Sequence, residues 1–176
     1  MHVSVRPTPT DALPASPRRL GWPIVFERIL VVCIGNICRS PMAEGLLAAG
    51  LPQLRVFSAG TGALVGRPAD ATARRLMQLR GIDISGHVAQ QVSQLLCRQA
   101  DLILVMDRDQ RRHLETAYPF VRGKVFRIAE FEGHDVPDPY GKDEAAFEHA
   151  LALIDAGARA WIDRILKITK PEQQPT

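Results

Sequence analysis

The sequence predicts an α/β domain: a four-stranded parallel sheet with helices on both faces. Three observations predict it. Short apolar runs alternate with longer stretches of helical spacing, four times along the chain. The strongest runs are continuously apolar, as strands buried on both faces are. The 176 residues suffice for one compact domain and are too few for two comfortable ones.

Each element has its own signal. Ile29-Leu30-Val31-Val32 is a short β-branched run followed by turn residues, so it reads as a buried strand. Ser40-Pro41 gives a helix start, with Ser40 as N-cap and Pro41 at the first helical position; the helix continues through Ala49 and ends at Gly50. Residues 55–58 form the second strand. Ala69 to Arg80 form the second helix, with Ala73, Leu76, Met77 and Arg80 at helical spacing and Gly81 closing it. Residues 102–106 are the third and most apolar strand, 109–117 a helix, and 124–128 the fourth strand. Phe147 to Lys167 read as a long amphipathic helix with Leu151, Ile154, Ala158, Trp161, Ile165 and Leu166 on its buried stripe.

Residues 1–26 read as a flexible N-terminal extension, 27–168 as the folded domain and 169–176 as a flexible tail. Five of the thirteen prolines fall in the extension (Pro7, Pro9, Pro14, Pro17, Pro23), which leaves little to bury against the entropy of ordering. The alternative is a docking segment built on Arg18, Arg19 and Trp22. Neither a secretory apolar core nor a membrane-length apolar run is present in the sequence. A formal charge of +3 favours an anionic partner but is too weak to argue for nucleic acid. Three cysteines, Cys33, Cys38 and Cys97, cannot build a secreted disulfide scaffold, so a reducing, cytoplasmic compartment is expected. With scattered histidines they do not make a zinc set, and no metal or other cofactor is expected.

The chemistry concentrates in Val32-Cys33-Ile34-Gly35-Asn36-Ile37-Cys38-Arg39-Ser40-Pro41, between the first strand and the first helix. In such sheets ligands bind beyond the carboxyl ends of the strands. A short loop over a helix N-terminus turns backbone N–H groups inward as an anion nest. Gly35 permits close backbone approach, and Asn36 tolerates a left-handed conformation. Arg39 adds a planar fork matched to two phosphate oxygens. Cys33 lies at the bottom of this positive cradle, where its thiolate is favoured and the Ser40 hydroxyl can donate to it. Taken alone, Cys33 reads as a small buried hydrophobe at a strand end. With Gly35, Asn36, Arg39, Ser40 and Pro41 around it, it reads as a nucleophile.

Asp138 stands between Pro137 and Pro139, which stiffen its backbone. A rigid carboxyl suits proton transfer to a leaving oxygen, although Asp-Pro by itself is also a common turn pair. Asp135 is the nearby competitor and lacks the flanking prolines.

The loop and Asp138-Pro139-Tyr140 together resemble the low-molecular-weight protein-tyrosine phosphatase family, over about residues 28 to 166. The resemblance implies a flavodoxin-like fold, hydrolysis of phosphotyrosine through a phosphocysteine intermediate, and Cys33, Arg39 and Asp138 as catalytic residues. It implies that Ile34, Gly35, Asn36, Ile37, Cys38 and Ser40 bind phosphate or shape the loop. His87 would support the loop through Asn36, and Tyr140 and Leu64 would form the substrate walls. Animal members often carry two adjacent aromatics where this chain has Tyr140 and then Gly141, so one wall is thinner. Asp107 and Ser58, at strand ends, would orient Arg39 or the loop. Cys38 reads either as a redox partner of Cys33 or as a packing residue. Cys97 reads as simply buried.

The stretches 58–70 and 96–107 resemble the bacterial branch tied to capsule and exopolysaccharide export. That implies a partner, the membrane tyrosine autokinase whose tyrosine-rich tail such enzymes dephosphorylate; a monomer is expected. Two rivals remain at this level. Arsenate reduction on the same fold needs a thiol relay, for which only Cys97 is available outside the loop. A non-catalytic phosphotyrosine-binding module would need no proton donor such as Asp138.

Overall fold

A computed structural model describes residues 27–169 of the 176-residue chain. Strands β1 (Arg28–Cys33), β2 (Arg55–Gly60), β3 (Leu102–Val105) and β4 (Val125–Arg127) form one parallel sheet in the order β2-β1-β3-β4. The helices are α1 (Arg39–Gly50), α2 (Ala71–Gln78), α3 (Gln94–Gln99), α4 (Arg108–Ala117) and α5 (Glu144–Thr169), with a short 3-10 turn at Pro119–Val121. The predicted four-stranded parallel sheet is therefore present.

Side chains alternate across each strand, and that alternation builds two cores. Ile29, Val31 and Cys33 of β1 join Leu102 and Leu104 of β3 in packing under α1, α2 and α5. Leu30, Val32, Ile103 and Val105 face the other way, against Cys97 of α3, Leu114 of α4 and Val121. Both faces of the sheet are thus covered, which explains why β1 and β3 are apolar without alternation. Gly157 lets α5 settle onto the chain leaving β4, because a Cβ there would drive into the Ile128 carbonyl.

Most element ends shift by a residue or two from the sequence expectation, and four differences have a physical cause. Ser40 is not a helix cap: α1 begins at Arg39 with Cys38 at the cap position and no side-chain cap, because the Ser40 hydroxyl is engaged elsewhere. Helix α2 starts after Asp70, whose carboxylate accepts from Thr72 N at 2.8 Å, and ends two residues before Arg80. Helix α3 was unanticipated; its six residues, capped by Ser93, are too short to show a period. Helix α5 begins at Glu144, before Phe147, because Asp143 accepts from Ala146 N at 3.1 Å. The predicted extension and tail lie outside the described residues, apart from Thr169, which ends α5. Among the described residues no helix is long and apolar enough to cross a membrane.

This topology fixes the place of the site. From β1 the chain moves to β2 on one side, and it later returns to β3 on the other. The loops leaving β1 and β3 therefore diverge, opening a crevice at the carboxyl edge between them.

Candidate active site

The loop after β1 is a nest because its carbonyls are all occupied on the outside. The oxygens of Cys33, Ile34, Gly35 and Ile37 accept from the backbone N–H groups of Thr61, Gly62, Leu64 and Asp70 at 2.7–3.0 Å. The Asn36 carbonyl accepts from His87 Nε2 at 2.7 Å, and that of Cys38 from Met42 N at 3.4 Å. With every carbonyl directed outward, the N–H groups turn inward. Asn36 N–H donates to Cys33 Sγ at 3.3 Å, and those of Gly35, Ile37 and Cys38 have no protein acceptor among the described residues. Inward amide dipoles of this kind hold anions.

Cys33 is 2% exposed at the floor of this ring. Its Sγ lies 2.9 Å from Ser40 Oγ. That hydroxyl already accepts from Asn36 Nδ2 at 2.9 Å, which leaves its own hydrogen to donate to the sulfur. Asn36 adopts φ 55°, the left-handed conformation expected of it. Its side chain is saturated: Nδ2 also donates to Ser58 Oγ at 2.9 Å, and Oδ1 accepts from Gln90 N at 2.9 Å. Because a carbonyl can only accept, His87 carries its hydrogen on Nε2. Glu44 backs this network, taking the Ser58 hydroxyl at 2.6 Å with its Oε2 3.8 Å from His87 Nδ1. His87 and Ser58 thus both reach the loop through Asn36.

Gly35 differs in its reason. A Cβ there would meet only Ile37 and Leu64 at ordinary contact distance, so protein packing does not require the glycine; its place is in the lining of the pocket. The tight approach belongs to Gly60, at the end of β2, where a Cβ would strike the Ile34 carbonyl.

Arg39 is 2% exposed and held from three sides. Nη1 donates to the Val136 carbonyl at 2.9 Å and lies 3.7 Å from Asp107 Oδ2; Nη2 lies 2.9 Å from Asp138 Oδ2; Nε has no partner among the described residues. Asp107 also caps α4 through Gln110, so its orientation is fixed by that helix. Asp138 accepts from Tyr140 N at 3.2 Å with its other oxygen. Asp135, the competitor, is committed to Arg127 at 2.8 Å. Cys33, Arg39 and Asp138 therefore line one pocket of about 150 Å³. Ile34, Leu64 and Tyr140 wall it, and Gly62 completes the rim. Ser40 and His87 lie behind the loop.

Burial pushes the Cys38 thiol up to about 12, with Asp70, Cys33 and Asp138 acting in the same sense. Cys97 is wholly buried in α3, and burial takes it to about 11. All three cysteines are free, and among the described residues no cluster could hold a metal ion. Sequence reasoning missed Glu44, Gln90 and the Val136 carbonyl. Only Glu44 left a signal, as the single acidic residue of α1.

A parallel sheet whose first strand delivers a cysteine into an amide-lined loop, beside a buried arginine and facing a carboxyl, defines a cysteine-dependent phosphatase. The profile of the low molecular weight phosphotyrosine protein phosphatase family matches residues 28–171, and the chain belongs to this family of protein-tyrosine phosphatases. It is 53% identical over 141 residues to a probable low molecular weight protein-tyrosine-phosphatase EpsP of Ralstonia solanacearum, covering 80% of this chain and 97% of that one. Identity to the low molecular weight protein-tyrosine-phosphatase Wzb of Escherichia coli K12 is 44% over 138 residues, covering 78% and 94%. Vibrio vulnificus Wzb in complex with benzylphosphonate superposes with a TM-score of 0.77 at 44% identity, covering 79% of this chain and 99% of that one.

Proposed function

We propose that Cys33, Arg39 and Asp138 carry out this hydrolysis. The Cys33 thiolate attacks phosphorus in line, and the S–P bond forms as the P–O bond to the phenol breaks. The inward amides and Arg39 hold the equatorial oxygens, while Asp138 gives its proton to the departing phenolate. Water then attacks the phosphocysteine, Asp138 takes the proton, and phosphate and the thiolate are released. Positive charge comes from the amides and Arg39, so the scheme routes no step through a metal. The observation that carries this reading is the loop's outward carbonyls, which leave an amide ring around Cys33 Sγ.

The substrate is an aryl phosphate on a protein chain. The pocket's apolar walls at Ile34, Leu64 and Tyr140 support that choice, as does the benzylphosphonate bound by the Vibrio relative. The physiological target is a membrane tyrosine autokinase of exopolysaccharide export, dephosphorylated by a monomeric enzyme in the cytoplasm. Likeness to EpsP and Wzb supports this choice. The buried Cys97 argues against an arsenate-reducing thiol relay, which needs a reachable second thiol.

The test pairs chemistry with capture. Cys33→Ser should lose turnover of p-nitrophenyl phosphate yet keep binding inorganic phosphate. Asp138→Ala, used as a trap in the native cell, should retain a tyrosine-phosphorylated kinase tail. Turnover persisting in the Cys33 variant would end the mechanism; a trap holding only other phosphoproteins would end the choice of target.

A further inference from the structure

The strap that carries Asp138 is gripped by two buried arginines, and only one of them is in the pocket. Arg127, the last residue of β4, is 7% exposed, and its carbonyl is fixed by Trp161 Nε1 of α5 at 3.2 Å. Its guanidinium reaches the strap at two successive residues: Nη1 donates to the His134 carbonyl at 3.3 Å and to Asp135 Oδ1 at 2.8 Å. Nε lies 3.3 Å from Glu130 Oε2, and the same oxygen accepts the Arg127 backbone N–H at 3.1 Å. The next residue, Val136, is pinned to the Met106 carbonyl through its N–H and to Arg39 through its own carbonyl. Asp138 follows two positions later. The strap is therefore fastened to β4, to Met106 just beyond β3 and to α1 in turn, and the Arg127 grip falls directly after the turn at 128–133.

We propose that Arg127 is a positioning residue for the reaction: through Asp135 and the His134 carbonyl it sets where the Asp138 carboxyl sits. The proposal rests on Asp138 being the acid. It also explains why a buried cation stands outside the pocket. A charge at such a position is costly unless its partners gain something by it. Here the partners are a carboxylate and a carbonyl of the segment whose placement matters most, since a displacement of about 1 Å can cost about a hundredfold in rate.

The experiment measures kcat/KM for aryl phosphates of graded leaving-group acidity, with thermal melting alongside. In Arg127→Met, phenyl phosphate should lose about 10-fold or more, while p-nitrophenyl phosphate, whose phenolate needs little help, stays within about 3-fold. In an Asp138→Ala background Arg127→Met should add less than about 2-fold, because the group it positions is gone. Asp135→Asn gives the same reading with β4 untouched, should Arg127→Met fail to fold. Equal losses on both substrates, or a loss that multiplies in the double variant, would overturn the proposal. If Asp138→Ala alone shows no leaving-group dependence, the acid assignment itself fails; if it does and Arg127→Met and Asp135→Asn do not, only the positioning role fails.

Discussion

Arg39 Nη2 lies 2.9 Å from Asp138 Oδ2, so the cation proposed to receive the oxyanion and the carboxyl proposed as the acid hold each other. Nη1 is already occupied by the Val136 carbonyl, with Asp107 nearby, while Nε has no partner. We expect a phosphate to dock on the Nε–Nη2 edge, in competition with the Asp138 carboxylate that now holds Nη2.

That geometry predicts opposite effects from one substitution. Asp138→Ala should tighten inorganic phosphate binding by about 3- to 10-fold, since a competing anion is removed from a partly shielded site. The same variant should lose about 10²- to 10³-fold in kcat/KM for phenyl phosphate, the usual scale of a lost general acid. Competitive inhibition by phosphate, measured beside turnover, checks both. Weaker phosphate binding would mean that the ion pair supports the cradle instead of competing with it.

The thiols should separate by chemistry. Cys38 and Cys97, held neutral at about 12 and about 11, react poorly as nucleophiles near neutral pH. Iodoacetate at pH 7 should therefore add one carboxymethyl group, on Cys33, and phosphate should block it; intact-mass and peptide spectra read the result. The same shifts carry a stability consequence. An unfolded thiol ionises near 9, well below either folded value, so above pH 9 the unfolded state gains by losing protons that the fold retains. Their contribution is complete below pH 9 and declines as pH rises toward 11 and 12. The urea midpoint should fall between pH 8.5 and 10.5, and by less in Cys38→Ala.

Much of this was legible in the chain because the informative residues are close in sequence. Cys33, Asn36, Arg39 and Ser40 share one loop, and a strand that is apolar on both faces announces a parallel sheet. Asp138 is remote, yet its two prolines marked it. Glu44, Gln90 and the Val136 carbonyl were not legible, since each acts through a contact that only the folded sheet creates. Ser40 shows the limit from the other side. Its residue type fits a helix cap and its position fits a sulfur donor, and the deciding fact is the Asn36 side chain, which enters from the left-handed turn before it.

Asn36 is the keystone of that loop, and its two contributions can be parted. Asn36→Ala leaves Ser40 Oγ, Ser58 Oγ and Gln90 N short of a partner and also loses asparagine's tolerance of φ 55°. Asn36→Gly removes the bonds and keeps the conformation. Unpaired buried groups cost about 1–3 kcal/mol each, so both variants should melt lower, Ala more than Gly by up to about 1 kcal/mol. Both should also lose about 10-fold in turnover, because the Ser40 hydroxyl is no longer oriented toward the sulfur. Full recovery of activity in the glycine variant would show that the backbone turn matters and the hydrogen bonds do not.

Gly60 gives the sharpest steric test. It ends β2, paired with Cys33 in the sheet, and its N–H and carbonyl are held by the Gln90 carbonyl and Val92 N at 2.9 and 2.8 Å. With both backbone groups committed, it cannot rotate away from the Ile34 carbonyl that a Cβ would strike. That carbonyl is one of the outward-facing oxygens that turn the loop's amides inward, so Gly60→Ala must push on the cradle. Activity and phosphate affinity should fall together, by about 10²-fold in kcat/KM, because the whole ring of donors is displaced. Gly86→Ala, whose Cβ meets nothing within 4 Å, should leave both unchanged. Were Gly60→Ala to keep normal phosphate affinity, the outward carbonyls would not be what shapes the nest.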